Sequence, residues 1–377
     1  MSYFFDLSPI RKLFSEERLA RSTERLQAIW SLTRPRDRIP FVFKNSPHQP
    51  EIREDFFFEA GYDEEISLRY QLDVMESRAF IEDDYLPSLF PGLRQGAIPT
   101  AFGCEEVLKG DHFWCKPMMR NANDVYRLRK PALEKVGGTR LFLERIKYFR
   151  KKTGGQIPIH VCDMQGPLAV AAAIWGYQDF LTAFYDNPKE VHFLLNLATE
   201  SIIEFATKQM EAAEGDIIPM HYWAVVWMPP GKGISISEDL LSVLPPELYQ
   251  EFGIPYHERI ARNFGSVFIH SCGNFSHNLD NLKKTKGLVG MNFSISETPI
   301  ERLLTEMGNK YVFVPHAITG VSCGSLPAYS QEELLKKSMP VIKEHNASAQ
   351  VVVGIEPDWD NARIKYLNRL ALEESAL

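Results

Sequence analysis

Short apolar runs rich in β-branched and aromatic residues recur along the chain, and helix-length amphipathic segments follow most of them. This alternation is typical of parallel strands joined by helical crossovers. Eight runs are predicted as strands: "IPFVFK" (39–44), "GAIPTAFGC" (96–104), "IPIHVCD" (157–163), "DIIPMHYW" (216–223), "SVFIHSC" (266–272), "GLVGMNF" (287–293), "KYVFVPHA" (310–317) and "AQVVVGIE" (349–356).

Eight strand–helix units predict an α/β fold with a single (β/α)8 TIM barrel over residues 1–377. Residues 1–38 would form an N-terminal helical extension, and 45–95 would add further helical segments. An open doubly wound sheet is the alternative, but the sequence contains neither GxGxxG nor GxxxxGK[ST]. Ser330 with Glu333 three residues later predicts a capping box at the start of a helix.

Polar side chains follow the predicted strands at the point where each one ends. In a parallel barrel these carboxyl ends share one rim, where functional residues concentrate. The strand-end residues are Lys44, His160, Asp163, His221, His270, Cys272, Asn292, Ser294, His316 and Glu356. Their repetition predicts that they converge on one site.

Composition narrows the class of protein. An apolar share of 45% is ample for a globular core, and a net charge of -7 argues against a nucleic-acid partner. The sequence has no apolar run of about 18 residues, so no membrane span is predicted. Five scattered cysteines and a start without the pattern of a secretory signal favour a cytoplasmic protein. We expect a small-molecule substrate, and the sequence does not indicate the oligomeric state.

The stretch "GSVFIHSCGNF" (265–275) places two soft metal-ligand side chains two residues apart. On an extended segment this spacing turns His270 and Cys272 to the same side, so that one zinc ion could take both. In the alternative interpretation, Cys272 packs as a small hydrophobic residue and His270 bonds to a loop.

Three blocks carry a resemblance to a known family: "DMQGPLAVAAAIWGYQDFLTAFYDNPKEVHFLL", "GKGISISEDLLSVLPPELYQEFGIPYHERIA" and "FIHSCGN". With them, the chain resembles the uroporphyrinogen decarboxylase superfamily over roughly residues 130–345. That superfamily also contains zinc-dependent methylcobamide:thiol methyltransferases. The resemblance implies a TIM barrel, in agreement with the strand count.

The resemblance is nearer to the methyltransferase branch. True uroporphyrinogen decarboxylases carry an Arg-Gln-Ala-Gly-Arg-Tyr segment after the first strand, whereas this chain has "FKNSPHQPEI" (43–52). Without both arginines, Lys44 is a weak substitute for gripping the carboxylates of a tetrapyrrole. Porphyrin decarboxylation is therefore not expected.

The methyltransferase branch binds zinc through His-x-Cys and a cysteine at the end of the last strand. His270 and Cys272 match the first pair, but the last strand reads "VVVGIEPDWDNAR" and has no cysteine. Cys323 is predicted as the third ligand, with Glu356 and Glu297 as oxygen-donor alternatives.

The other predicted site residues are Asp163, His221, Glu238 and His316 as catalytic groups, and Lys44, Gln165, Trp223 and Asn292 as substrate-binding groups. In "ISISEDLLS" (234–242), the Glu238–Asp239 pair is either an acidic cap at a helix start or a substrate or metal ligand on a loop over the barrel mouth.

Three functions remain open. The first is a zinc-dependent methyltransferase that moves a methyl group between a corrinoid and a thiol or a small O- or N-methyl compound. The chain has no Asp-x-His-x-x-Gly segment, so the corrinoid would be bound by a partner protein. The second is a cofactor-free decarboxylase or lyase of a small carboxylate, with Asp163, His221 or His316 as proton donor. The third is a non-catalytic corrinoid- or tetrapyrrole-binding protein.

Overall fold

The computed structural model describes residues 5–44, 63–92, 96–109, 112–221, 225–317, 328–356 and 358–377. Its helices are α1 (Ser8–Leu13), α2 (Glu16–Trp30), α3 (Glu64–Ser77), α4 (Ala97–Phe102), α5 (Gly137–Thr153), α6 (Pro167–Trp175), α7 (Tyr177–Asp186), α8 (Pro188–Ala212), α9 (Pro246–Phe252), α10 (Ile254–Phe264), α11 (Leu279–Lys284), α12 (Ile300–Met307), α13 (Gln331–Glu344) and α14 (Asn361–Ser375). Its strands are β1 (Phe41–Lys44), β2 (Glu105–Lys109), β3 (His112–Lys116), β4 (Ile159–His160), β5 (Ile217–Ile218), β6 (Ile234–Ser237), β7 (Val267–His270), β8 (Leu288–Ser294), β9 (Val312–His316), β10 (Ser348–Ala349) and β11 (Val351–Gly354).

The main sheet has seven strands and places β1, β11, β9, β8, β7 and β6 side by side, while β10 pairs with β9. Its pairs are all parallel. A second parallel pair joins β4 to β5, and β2 and β3 form a separate antiparallel hairpin. The register aligns Ser237 with His270, His270 with Asn292, and Ser294 with His316. These polar residues therefore lie at neighbouring strand ends, as predicted for a barrel rim.

Backbone hydrogen bonds connect the two parallel sheets into a closed circuit. They run from Ser235 N to Pro219 O (2.9 Å), from His160 N to Leu89 O (2.7 Å), and from Asp84 N to Phe41 O (2.9 Å). The circuit passes from β6 through β5 and β4 to an extended segment at 84–89, and back to β1. The predicted TIM-barrel fold is confirmed, although strands and extended segments number more than the eight predicted runs.

Two strand assignments from the sequence need correction. The run 96–104 was predicted as a strand but contains α4, which ends at Gly103 with φ +109°, a conformation that favours glycine. The second barrel position is filled instead by the segment that reaches Leu89, which pairs with Ile159. Conversely, the short run "ISIS" was not among the eight predicted strands, but it forms the buried strand β6.

The N-terminal extension is helical, as predicted, and α2 packs against the barrel. The Ser15 side chain caps α2 by accepting a hydrogen bond from Arg18 N. At the other end of α2, Trp30 Nε1 donates to Trp227 O at 2.8 Å, and its ring lies 5.9 Å from that of Phe268. The predicted capping box of α13 is also confirmed.

Two adjacent aspartates bind the extension and α3 to β1. Asp84 Oδ1 accepts from Arg25 at 2.9 Å, and its Oδ2 lies 2.6 Å from Arg38. Asp83 Oδ2 accepts from Arg78 at 2.7 Å. The two carboxylates also accept from the backbone N–H groups of Phe41 and Phe43. These five charged residues are named the Asp83–Asp84 cluster below.

Buried apolar side chains from most of the helices and strands form one contiguous core. The assignment of residues 1–377 to a single domain stays a prediction. Among the helices described above, none has both the length and the apolar character that crossing a bilayer requires.

Candidate metal centre

Three side chains with metal-ligand atoms meet where β6 and β7 end. Asp239, His270 and Cys272 each offer one such atom, and these atoms lie within 4.8 Å of one another. His270 Nε2 is 3.3 Å from Cys272 Sγ and 4.0 Å from Asp239 Oδ1. Carboxylate, imidazole and thiolate are all zinc ligands, and three protein ligands would leave one position for substrate. These residues are named the donor group.

Local backbone contacts hold the donor group together. Cys272 N donates to Asp239 Oδ1 at 2.8 Å, so the chain after β7 is tied to the turn after β6. Gly273 follows with φ +84°, and a Cβ at this position would lie 2.5 Å from Ser242 Oγ. Only glycine fits at position 273, because other residues disfavour this positive φ and their Cβ would clash with Ser242. Gly273 N donates to Glu297 Oε2 at 2.9 Å.

The predicted third zinc ligand stays a prediction. Cys323 lies outside the described residues. Glu297 supports the turn at Gly273, and within the part of the chain that the structure describes, neither Glu297 nor Glu356 belongs to the donor group. Among the described residues, the third donor atom beside His270 and Cys272 comes from Asp239, whose sequence signal was the acidic pair in "ISISEDLLS".

Asn292 lies behind His270 and is completely buried. Its Oδ1 bonds to His270 Nδ1, its Nδ2 donates to Val314 O at 2.6 Å, and Nδ2 is also 3.2 Å from His316 Nδ1. Asn292 therefore holds the His270 ring in position, and its predicted contact with substrate stays a prediction.

His316 stands beside the same group, with its ring centroid 6.2 Å from that of His270. Burial, together with the nearby His270 and Lys44, lowers the pKa of His316 well below its usual range. His316 is therefore neutral at pH 7, and its predicted catalytic role stays a prediction.

A second cluster brings together three predicted residues: Asp163, Gln165 and His221. Gln165 Nε2 donates to Asp163 Oδ2 at 3.2 Å, and His221 Nε2 lies 3.5 Å from Asp163 Oδ1. Ser235 Oγ is 2.6 Å from His221 Nδ1, while Ser237 Oγ is 2.8 Å from His221 Nε2 and 3.4 Å from Asp163 Oδ1. These five residues are named the Asp163 cluster.

Burial sets the protonation states in this cluster. It raises the pKa of Asp163 to about 6, against the smaller lowering effect of His270, and it lowers the pKa of His221 to about 3. His221 is thus neutral at pH 7, and Asp163 titrates close to neutrality. A carboxyl group with this property, buried at a strand-end rim, is suited to proton transfer.

Glu238 was predicted as a catalytic group lining the pocket, but its contacts are those of a helix cap. It is fully buried, and its two carboxylate oxygens accept from Leu168 N and Ala169 N, both at 3.0 Å, at the start of α6. A Cβ on Gly166 would lie 2.3 Å from Glu238 Oε2, so this close approach depends on glycine. Glu238 therefore caps α6, a helix that precedes it in sequence, whereas Asp239 lies in the donor group.

Sequence reasoning missed the partners of Glu238. His257 Nε2 lies 3.2 Å from Glu238 Oε2, and Tyr249 Oη is 3.0 Å from His257 Nδ1. Both residues are fully buried on α9 and α10. No strand-end position marks them, because they approach the site from the helical layer.

Lys44 ends β1 on the rim, and burial lowers the pKa of its ammonium group well below the usual range, against the raising effect of Cys272. It is therefore electrostatically coupled to the donor group as well as to His316. His160 is buried beneath the rim, with Nδ1 2.5 Å from Met220 O and Nε2 2.9 Å from Ser88 Oγ. Trp223 lies outside the described residues.

Fold and site together define a TIM-barrel protein with a candidate metal centre at the carboxyl ends of its strands. The sequence profile of the uroporphyrinogen decarboxylase (URO-D) family matches residues 34–229. The chain belongs to this family, so the predicted family is confirmed. The matched range begins earlier than the predicted 130–345 and contains the first of the three sequence blocks, residues 163–195.

The relatives include both branches of the superfamily. A methylated-thiol–coenzyme M methyltransferase of Methanosarcina mazei is 27% identical over 195 residues, covering 51% of this chain and 47% of the relative. A uroporphyrinogen decarboxylase of Xanthomonas axonopodis pv. citri is 24% identical over 172 residues, covering 44% of this chain and 43% of the relative. Each match therefore spans somewhat less than half of the curated relative.

A solved structure of a methyltransferase from Methanosarcina mazei superimposes with a TM-score of 0.68 at 19% identity, and the alignment covers 94% of this chain and 98% of that one. This likeness extends the shared fold to nearly the whole chain.

Proposed function

We propose that this protein is a zinc-dependent methyltransferase that moves a methyl group between a corrinoid and a small thiol or a small O- or N-methyl compound. The donor group of Asp239, His270 and Cys272 is the observation that carries the proposal. The similarity to a methylated-thiol–coenzyme M methyltransferase supports the thiol as one reactant. A partner protein is proposed to carry the corrinoid.

The donor set fits zinc because it combines soft sulfur and imidazole nitrogen with one carboxylate oxygen. Zinc bound there would favour the thiolate form of a thiol. In the direction of thiol methylation, the S–H bond breaks, a carbon–sulfur bond forms, and the electron pair of the broken bond to methyl stays with the donor. The thiol proton must leave, and Asp163, with its pKa of about 6, is the proposed acceptor. Lys44 is proposed to face an anionic group of the substrate.

Metal analysis tests the proposal most directly. Protein purified without chelator and with zinc available should contain about one zinc per chain, and Cys272→Ser should lose it. Cys104→Ser is the matched control, since Cys104 is buried away from the donor group. Transfer of methyl from methylcobalamin to small thiols should follow zinc content. Wild-type protein that binds no transition metal would exclude the methyltransferase.

The Asp163 cluster favours a second candidate, a metal-independent decarboxylase or lyase of a small carboxylate. In this reaction a protonated Asp163 would donate its proton to the carbanion left after carbon dioxide departs. Decarboxylation or cleavage of a small carboxylate that survives chelation and Cys272→Ser, but is lost in Asp163→Asn, would favour this function over methyl transfer.

A further inference from the structure

Asn292 joins the candidate metal ligand to the interior of the barrel. His270, Asn292 and Val314 are register partners on β7, β8 and β9, so their side chains lie on the same face of three adjacent strands. The amide of Asn292 bonds to His270 Nδ1 on one side and to Val314 O on the other.

The Val314 contact fixes the orientation of the amide. A carbonyl oxygen can only accept a hydrogen bond, so the Asn292 atom 2.6 Å from Val314 O must be the Nδ2 donor. Its Oδ1 therefore points to His270 Nδ1, and this contact requires the imidazole nitrogen to donate. When the His270 ring carries a single proton, that proton resides on Nδ1, and Nε2 presents its lone pair toward Cys272 Sγ, 3.3 Å away.

We propose that Asn292 is a positioning residue that holds the His270 proton on Nδ1 and so makes Nε2 the metal-binding nitrogen. The inference rests on the proposed metal centre. Outer hydrogen bonds of this kind fix the tautomer and ring orientation of metal-binding histidines, and their loss typically costs 10–100-fold in affinity.

An amide meets both requirements at this position without adding charge. Aspartate would still accept from His270 Nδ1, but it would offer no hydrogen to Val314 O when ionised. Leucine has a similar volume and can make neither bond. The two substitutions therefore separate the effect on His270 from the effect on stability.

The test measures the affinity of the protein for Zn²⁺ and Co²⁺ by chelator competition. Asn292→Leu should bind both ions about 10–100-fold more weakly than wild type. Asn292→Asp should retain affinity within about threefold of wild type, because a carboxylate also supports a metal-binding imidazole, even though the lost bond to Val314 lowers its stability. A purely structural role for Asn292 predicts instead that affinity falls in step with stability in both variants.

Asn281→Leu is the matched control. Asn281 is also buried and also donates to a backbone carbonyl, Pro246 O at 2.8 Å, but it lies outside the donor group. This variant should lose stability and keep the metal affinity of wild type. If its affinity falls as far as that of Asn292→Leu, the assigned role of Asn292 is wrong.

Nitrogen-15 NMR of histidine in metal-free wild-type protein tests the tautomer without any variant. The expected spectrum shows His270 protonated on Nδ1, and protonation on Nε2 alone overturns the inference. Wild-type protein that binds neither ion would refute the proposed function and, with it, the role of Asn292 in metal binding. Wild-type binding with unchanged affinity in Asn292→Leu would refute only the role of Asn292.

Discussion

The Asp83–Asp84 cluster and the rim are both rich in buried polar groups, but their charges are compensated differently. Asp84 meets Arg25, Arg38 and a backbone N–H, so its negative charge is matched within hydrogen-bond distance. At the rim, Asp163 has mainly neutral partners, and the donor group places a carboxylate, an imidazole and a thiol side by side. The first arrangement stabilises the fold. The second brings together potential metal-ligand atoms and a buried carboxyl group with a raised pKa, which is typical of a functional site.

The largest loss of stability is expected from a substitution that removes one charge from the Asp83–Asp84 cluster. Asp84→Ala should lower the free energy of unfolding by about 3–5 kcal/mol, because Arg38 would keep a buried charge without Asp84 and Arg25 would keep only the exposed Asp37. Chemical denaturation measures this change. Asp37→Ala is the control, since Asp37 pairs with the same Arg25 but is 55% exposed and should contribute under about 1 kcal/mol. Equal losses in the two variants would contradict the comparison.

Removal of a ligand from the donor group should act on metal affinity and leave stability nearly unchanged. Cys272→Ser should weaken zinc binding more than about 100-fold, because a direct ligand contributes more than the outer partners of a metal site. The metal-free variant should unfold within about 1 kcal/mol of metal-free wild type, since Cys272 is only half-buried. Affinity by chelator competition and unfolding by urea check the two parts. A large loss of stability would mark Cys272 as a packing residue.

Asp163 should make the stability of the protein depend on pH. Its pKa in the folded protein, about 6, lies above its ordinary 3.8, so the folded state holds the proton more tightly than the unfolded state. The free energy of unfolding should therefore fall as pH rises from about 4 to 6, by at most about 3 kcal/mol. Asp163→Asn removes this contribution, so its stability relative to wild type should increase over that window. Urea unfolding at pH 4.5 and 7 gives the difference, and a pH-independent difference would refute the raised pKa.

The smallest effect is expected at the surface. Arg36 and Glu24 pair at 3.5 Å, with 90% and 62% of their side chains exposed. Glu24→Gln should change the free energy of unfolding by less than about 0.5 kcal/mol, because solvent and salt screen the pair. Thermal unfolding of wild type and Glu24→Gln at low and high salt measures this difference in stability. A change above about 1 kcal/mol would mean that pairing alone, without burial, accounts for the strength of the Asp83–Asp84 cluster.

The sequence predicted those parts of the molecule that depend on short patterns. The alternation of strands and helices indicated the barrel, and the two-residue spacing of His270 and Cys272 indicated a pair of ligands on one side of the chain. Asp163 and His221 were found because both follow strands. In each case the sequence pattern that supported the prediction spans only a few neighbouring residues.

Features that depend on tertiary pairing could not be predicted in this way. Asp239 reaches Cys272 across 33 positions of sequence, and nothing in its own segment shows which strand end it will face. The alternation of Ile and Ser in β6 fits a strand, but four residues are too few to separate a strand from a loop. His257 approaches Glu238 from a helix, where buried polar residues have no characteristic spacing.

Strand β6 supports both groups at the rim, because Ser235 and Ser237 belong to the Asp163 cluster and Asp239, two residues after Ser237, belongs to the donor group. Asp239 and His270 also act electrostatically on Asp163, the first raising and the second lowering its pKa. Binding of a cation to the donor group, as proposed, would therefore be linked to protonation of Asp163. If a bound cation changes the affinity of Asp163 for its proton by some factor, then protonation of Asp163 must change the affinity of the donor group for that cation by the same factor.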